Sequence, residues 1–182
     1  MPSTQTLYRA AMLPGNDLGN RTAETQLPDG RNVPLVLPLP SNGTLVNKSF
    51  RLRMYGRVAA SINNSYTIQV YFGFDPIITN NLLIFSTGAQ IVPAVKSNYE
   101  LWLDLTWDND SKAINGRVTG QLANNLIGPA SLLNVPTAVD PNRDSNTFLQ
   151  SGPTYAFTAT GKFAIGHLNN HAFVDLMNLE EV

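Results

Sequence analysis

The chain has 182 residues, of which 43% are hydrophobic and 14% charged; this is enough for one domain with its own core, on a surface poorer in charge than the usual share of about a quarter. Its polarity comes from 20 Asn, 15 Thr and 11 Ser, with 13 Gly, 12 Pro, 4 Lys and 4 Glu; this suits turns and strand faces and excludes a large helical component, whose outer faces need Lys and Glu. A net charge of -1 leaves no electrostatic footprint for nucleic acid or an anionic membrane, and the absence of cysteine removes disulfides, thiol catalysis and sulfur-ligated metals.

The N-terminus, MPSTQTLYRAAML, has no basic stretch followed by an apolar one, so an unprocessed, soluble and unexported product is expected. On that expectation the Asn-x-Ser/Thr sequons at Asn20, Asn42, Asn47, Asn63 and Asn109 reflect the abundance of Asn and Thr rather than glycosylation. Six of the 12 prolines fall within the first 40 residues, and PLVLPLP at 34 to 40 cannot be helix. Proline fixes φ and removes a donor, so residues 1–48 are predicted to form an extended arm. Its apolar strip, Val33, Leu35, Val36, Leu37 and Leu39, needs a surface to lie on.

A sandwich domain is predicted over 49–182. Phe50, Leu52, Met54 and Val58 alternate with Arg51, Arg53, Tyr55 and Arg57, the pattern of a half-buried strand with an arginine stripe. After a turn at 62 to 65, Tyr66, Ile68, Val70, Phe72 and Phe74 alternate with Thr67, Gln69, Tyr71 and Gly73, and the two strands read as a hairpin. LLIFS at 82 to 86 is a short buried run. Tyr99, Leu101, Leu103, Leu105 and Trp107 alternate with Glu100, Trp102, Asp104 and Thr106, and a turn at 108 to 111 leads to a further strand through Leu122, giving a hairpin over 99–122. Residues 123 to 153, with several prolines and no stable period, read as a long loop carrying a helical turn near 129 to 133. Strands at 154–164 and 171–179 flank Gly166-His167-Leu168-Asn169-Asn170. The sum is an all-β, antiparallel two-sheet sandwich of jelly-roll or Greek-key type.

The chain carries no nucleophile elbow, phosphate-binding loop, dinucleotide fingerprint or His-Glu-x-x-His helix. His167 and His171 lie across a predicted turn without a carboxylate cluster, Asp108-x-Asp110 lacks the Gly and Glu of a calcium loop, and Asp140 to Asp144 is ordinary turn chemistry. No cofactor, metal or catalytic residue is therefore expected, and the protein is read as not an enzyme. The residues with binding chemistry are Arg51, Arg53, Tyr55, Arg57 and Trp102, together with Glu100 and Asp104 on the polar side of the 99–107 strand. If the two strands share a sheet, that face is a solvated set of cross-strand ion pairs, a protein-binding surface anchored by Arg and Trp, or a sugar-stacking platform.

The run Leu45 to Arg53 with Gly56-Arg57, and later Tyr99 to Leu103 with Leu105 to Asp108, resembles the jelly-roll decoration or cement proteins on the heads of tailed bacteriophages, over roughly residues 40 to 122. The resemblance implies a location on the capsid surface of a virion, synthesis in the host cytoplasm, a homotrimer, and the major capsid protein of the same virion as partner. It also implies that the N-terminal arm reaches over neighbouring shell subunits. The alternative on the same fold is a carbohydrate- or receptor-binding module of a tail spike or fibre.

Overall fold

The computed structural model describes residues 5–10, 17, 21–23, 25–27, 37–38, 49–61, 63–73, 75–108, 113–136 and 156–182. These form twelve strands: β1 (Gln5–Ala10), β2 (Thr25–Leu27), β3 (Leu37–Pro38), β4 (Ser49–Ala59), β5 (Ser65–Gly73), β6 (Leu82–Ser86), β7 (Gln90–Ile91), β8 (Ser97–Asp108), β9 (Ala113–Leu122), β10 (Asn125–Pro136), β11 (Ala156–Phe163) and β12 (His171–Glu181). One sheet has the order β1-β12-β4-β8-β9-β10 and the other β2-β11-β5-β6, with β3 added to β11 and β7 to β5. Every pairing between these strands is antiparallel. The architecture is the all-β two-sheet sandwich that composition and alternation predict.

The alternating positions explain why the sheets stack. Leu52, Met54, Val58, Leu101, Leu103, Val118 and Leu179 of the six-stranded sheet and Tyr66, Ile68, Val70, Phe72, Phe157 and Phe163 of the other are all buried in one core. Each such side chain withdrawn from water contributes roughly 1.5–3 kcal/mol. Phe157 ties the two layers together, its ring 5.9 Å edge-on from Phe50 opposite and 5.0 Å from Phe72 beside it.

Two expectations are corrected. The strands at 50–58 and 66–74 are not a hairpin: β4 pairs with β12 and β8 in one sheet, whereas β5 pairs with β11, β6 and β7 in the other. A period of two shows which side of a strand is buried but not whether its chain neighbour lies beside it or across the core. The short connection after Ala59 crosses from one layer to the other. The stretch 125–136 is a strand rather than a loop with a helical turn. Its register on β9 shifts between Ile127 and Ala130 and again between Leu132 and Val135, and each bulge offsets the alternation that would have revealed it.

Of the residues expected as an arm, the described parts pair with the sandwich: β1 runs along β12, β2 along β11, and Leu37 stands opposite Phe157. Val33, Leu35, Val36 and Leu39 lie outside the described residues, as do Asp110 and the 140–144 segment. The expected hairpin over 99–122 is formed by β8 and β9.

Two core tyrosines are packed against glycines. A Cβ on Gly161 would overlap the Tyr66 hydroxyl, and one on Gly56 would lie 2.5 Å from the Tyr99 hydroxyl and overlap the carbonyl of Phe173. Gly161→Ala and Gly56→Ala are therefore expected to lower stability by about 1–3 kcal/mol through overpacking, measured by urea unfolding; a change within about 0.5 kcal/mol would contradict this packing.

Burial pushes both phenols above their ordinary value of 10.0, and for Tyr99 the neighbouring Tyr66 adds to the effect. The folded state thus holds these protons more tightly than the unfolded chain. The neutral phenols' contribution is fully present below about pH 10 and is lost as pH climbs above it. Urea midpoints are expected to fall from about pH 10 upward. Tyr66→Phe and Tyr99→Phe together should flatten that fall, and an unchanged profile in the double variant would rule out these two groups as its source.

Candidate functional site

The register of β12, β4, β8 and β9 decides which polar side chains meet on the outer face of the six-stranded sheet. It sets Glu180, Arg51, Asp104 and Arg117 in one cross-strand row, and Asn178, Arg53, Trp102 and Thr119 in the next. Leu176, Tyr55, Glu100 and Gln121 form a third, and Phe173, Arg57 and Asn98 a fourth. The five candidates from this part of the sequence, Arg51, Arg53, Tyr55, Arg57 and Trp102, therefore share one surface.

Ion pairs mark the upper and lower rows. Arg51 Nε donates to Asp104 Oδ1 at 2.5 Å, and Arg57 grips Asp175 with two bonds, Nε to Oδ2 at 2.8 Å and Nη2 to Oδ1 at 2.7 Å. These hydrogen bonds are the first cause holding the Arg51 and Arg57 protons more tightly than usual. Both pairs are partly open to solvent, so each contributes at most about 1 kcal/mol to stability.

Between them lies an aromatic centre. Tyr55 and Trp102 are 39% and 38% exposed, large fractions for aromatic side chains in a sandwich. The Arg53 guanidinium lies 4.6 Å from the centroid of the Trp102 ring, and Trp102 Nε1 donates to Glu100 Oε1 at 2.7 Å. Arg53 Nη2 is 3.7 Å from Glu180 Oε2, while Arg53 Nε and, opposite it in register, Asn178 Oδ1 are shielded from water without a hydrogen-bond partner. With one side of the indole covered by a guanidinium, Trp102 is fixed in orientation and poorly suited to stacking a sugar ring on that side.

A second constellation lies at one end of the sandwich, where the connections β4–β5, β7–β8 and β11–β12 converge. Two buried asparagines lock two of them. Asn64 Nδ2 donates to Ile165 O at 2.7 Å and to Asn170 Oδ1 at 3.1 Å, and its Oδ1 accepts from the Ser65 and Ile165 amides at 2.9 and 3.1 Å. Asn170 Nδ2 donates to Ile165 O at 2.8 Å and its Oδ1 accepts from the Ser61 amide at 3.1 Å. Asn63 takes a left-handed φ of 62° in this turn, which Asn tolerates better than most residues. The Ala60 amide donates to Pro93 O at 3.0 Å, attaching the third connection.

On this framework Ala60, Ser61, Ala94, His167, Asn169 and His171 line an open depression of about 660 Å3. His171 Nδ1 is hydrogen-bonded to Asp17 Oδ2, whose other oxygen accepts from the Ala172 amide at 3.0 Å, and His167 Nδ1 accepts from the Asn169 amide at 3.1 Å. The His171 ring stacks 6.4 Å from that of Phe173, which also faces the Lys96 ammonium at 5.0 Å and the Arg57 guanidinium at 5.1 Å. Among the described residues no group of three His, Asp or Glu side chains is placed to hold a metal. Sequence reasoning identified the two histidines but not their convergence, because Asp17, Ser61 and Ala94 reach the same place only through pairing across both layers.

No protein-family model matches this chain, and no curated protein matches it. Among solved structures, it is similar to the CBM2 module of the evolved Dit of Lactobacillus casei BL23 phage J-1, with 10% identity over 97% of this chain and 95% of that one and a TM-score of 0.46. It is also similar to peanut lectin with a 9mer peptide, with 10% identity over 99% and 98% of the two chains and a TM-score of 0.37. At these distances neither likeness bears on function. The fold and its two surfaces define a two-sheet antiparallel β-sandwich with a rigid polar–aromatic face and a separate cleft at one end.

The asparagine lock makes a prediction of its own. Asn64→Ala or Asn170→Ala leaves buried amides and a carbonyl without partners, and each is expected to cost about 1–3 kcal/mol in urea unfolding. Losses no larger than those of surface substitutions would mean that water replaces these side chains freely.

Proposed function

We propose that this protein is a non-enzymatic structural module that docks onto a protein partner through the outer face of its six-stranded sheet, as a decoration protein on the shell of a phage head. One observation carries the docking part: Trp102, Tyr55 and Arg53 form a fixed, partly exposed cluster framed by the Arg51–Asp104 and Arg57–Asp175 pairs. Interfaces concentrate their energy in such Trp, Tyr and Arg centres, whereas surrounding charges set register and exclude water. The polar atoms left unpaired at Arg53 and Asn178 lie in the same central row. The shell assignment rests on the sequence resemblance, with the major capsid protein as the partner it implies and a homotrimer as the expected assembly. Several attachment points per trimer would slow dissociation well beyond that of one face.

The experiment is co-sedimentation with purified shells, with light scattering of the free protein to count subunits. Trp102→Ala and Arg53→Ala are expected to weaken shell binding by about thirtyfold or more each, matching losses of at least about 2 kcal/mol at an interface centre. Wild-type sedimentation by a folded Trp102→Ala variant would move the docking surface elsewhere, and failure of the native protein to sediment with shells would remove the decoration role.

A further inference from the structure

The depression at the end of the sandwich shares no described lining residue with the proposed docking face, which it adjoins through the stacking of His171 on Phe173, and its chemistry differs. Among the described residues that line it, Ala60, Ser61, Ala94, His167, Asn169 and His171, none is a carboxylate, lysine or arginine. We propose that this depression is a binding site for a neutral polyhydroxylated ligand, the terminal sugar unit of a glycan. This inference goes beyond the docking role and does not depend on it.

The two imidazoles are held in opposite ways. Asp17 presents a carboxylate to His171 Nδ1; a carboxylate only accepts, so the ring proton lies on Nδ1 and, in the neutral ring, Nε2 is left as an acceptor. His167 is held the opposite way: its Nδ1 accepts from the Asn169 amide, so its proton lies on Nε2, a donor. The same depression thus carries one imidazole acceptor and one imidazole donor, with the Ser61 hydroxyl and the Asn169 side-chain amide able to do both. A pair of adjacent sugar hydroxyls, each at once donor and acceptor, matches this alternation. An anion would need donors alone, and the Asp17 carboxylate stands directly against His171. A metal would need a third ligand, which the described residues do not supply there.

Rigidity and shape support the same assignment. Ser61 comes from one connection and His167 and Asn169 from another, with His171 opening β12, and the buried Asn64–Asn170 network fixes the two connections to each other. Hydrogen-bonding groups held in advance lose little on binding. Ala60 and Ala94 add little bulk to the lining. About 660 Å3, open to solvent, suits the end of a longer chain rather than an enclosed small molecule.

The test is an NMR titration of the full chain with methyl glycosides of neutral hexoses and N-acetylhexosamines, with a sulfated disaccharide as the anionic arm. At least one neutral glycoside is expected to shift the amides of Ser61, Ala94, His167, Asn169 and His171 and to leave those of Arg53 and Trp102 in place. His167→Ala and Ser61→Ala should each weaken that binding by about tenfold or more, with unchanged circular dichroism and melting. The assignment is overturned if no neutral glycoside shifts these amides, if the shifts gather on Trp102, if only the sulfated sugar binds, or if both variants bind as the native chain does. None of these outcomes bears on shell binding, which the Trp102 and Arg53 variants test separately.

Discussion

Both surfaces depend on two sheets being pressed together over one shared core. Each long strand gives alternate side chains to that core, so the remaining positions are forced outward in fixed rows. Phe157, touching Phe50 across the layers and Phe72 within its own, restrains one sheet from sliding on the other, and the tyrosines seated on Gly161 and Gly56 fix neighbouring strands within each sheet. Because register is fixed inside, it is fixed outside: Arg53 meets Trp102 and Arg51 meets Asp104 as a consequence of where Leu52 meets Leu103.

The outer face is accordingly better read as geometry than as charge. Its ion pairs are mutually satisfied and partly solvated, so they contribute little to stability and present no strong field. Other charged groups of the face, Arg53 and Glu100, hold its central aromatic side chain in place. Trp102 has a guanidinium on one side and a carboxylate on its indole nitrogen, an arrangement that limits rotation before any partner arrives and so reduces the entropy lost on docking.

The end of the molecule follows another logic. The chain passes from one sheet to the other after β4 and again after β11, and such crossings place backbone amides and carbonyls where no ladder can satisfy them. Asn64 and Asn170 take over that role. Since every buried polar group there must find a partner, the crossings become rigid, and rigid loops bearing imidazole, hydroxyl and amide groups are what a recognition site requires.

Composition and alternation were enough for the class of fold and for the two sides of β4 and β8. Alternation at 50–58, 66–72 and 99–105 picked out side chains that are buried, although Tyr71, set on a polar side, is buried as well, and the same alternation placed Arg51, Arg53, Tyr55, Arg57 and Trp102 on polar sides. Local pattern is sufficient there because a half-buried strand has only two sides. Strand partners were beyond its reach: β4 and β5 are neighbours in the chain but belong to different sheets, and the bulges of β10 hid a strand inside what reads as a loop. The meeting of His171 with Asp17, 154 positions away, and of both histidines with Ser61 and Ala94 was equally hidden. Only the tertiary structure decided these, because which edges pair, and which connections meet at one end, are set by how the two sheets close over the core rather than by any segment's own preference.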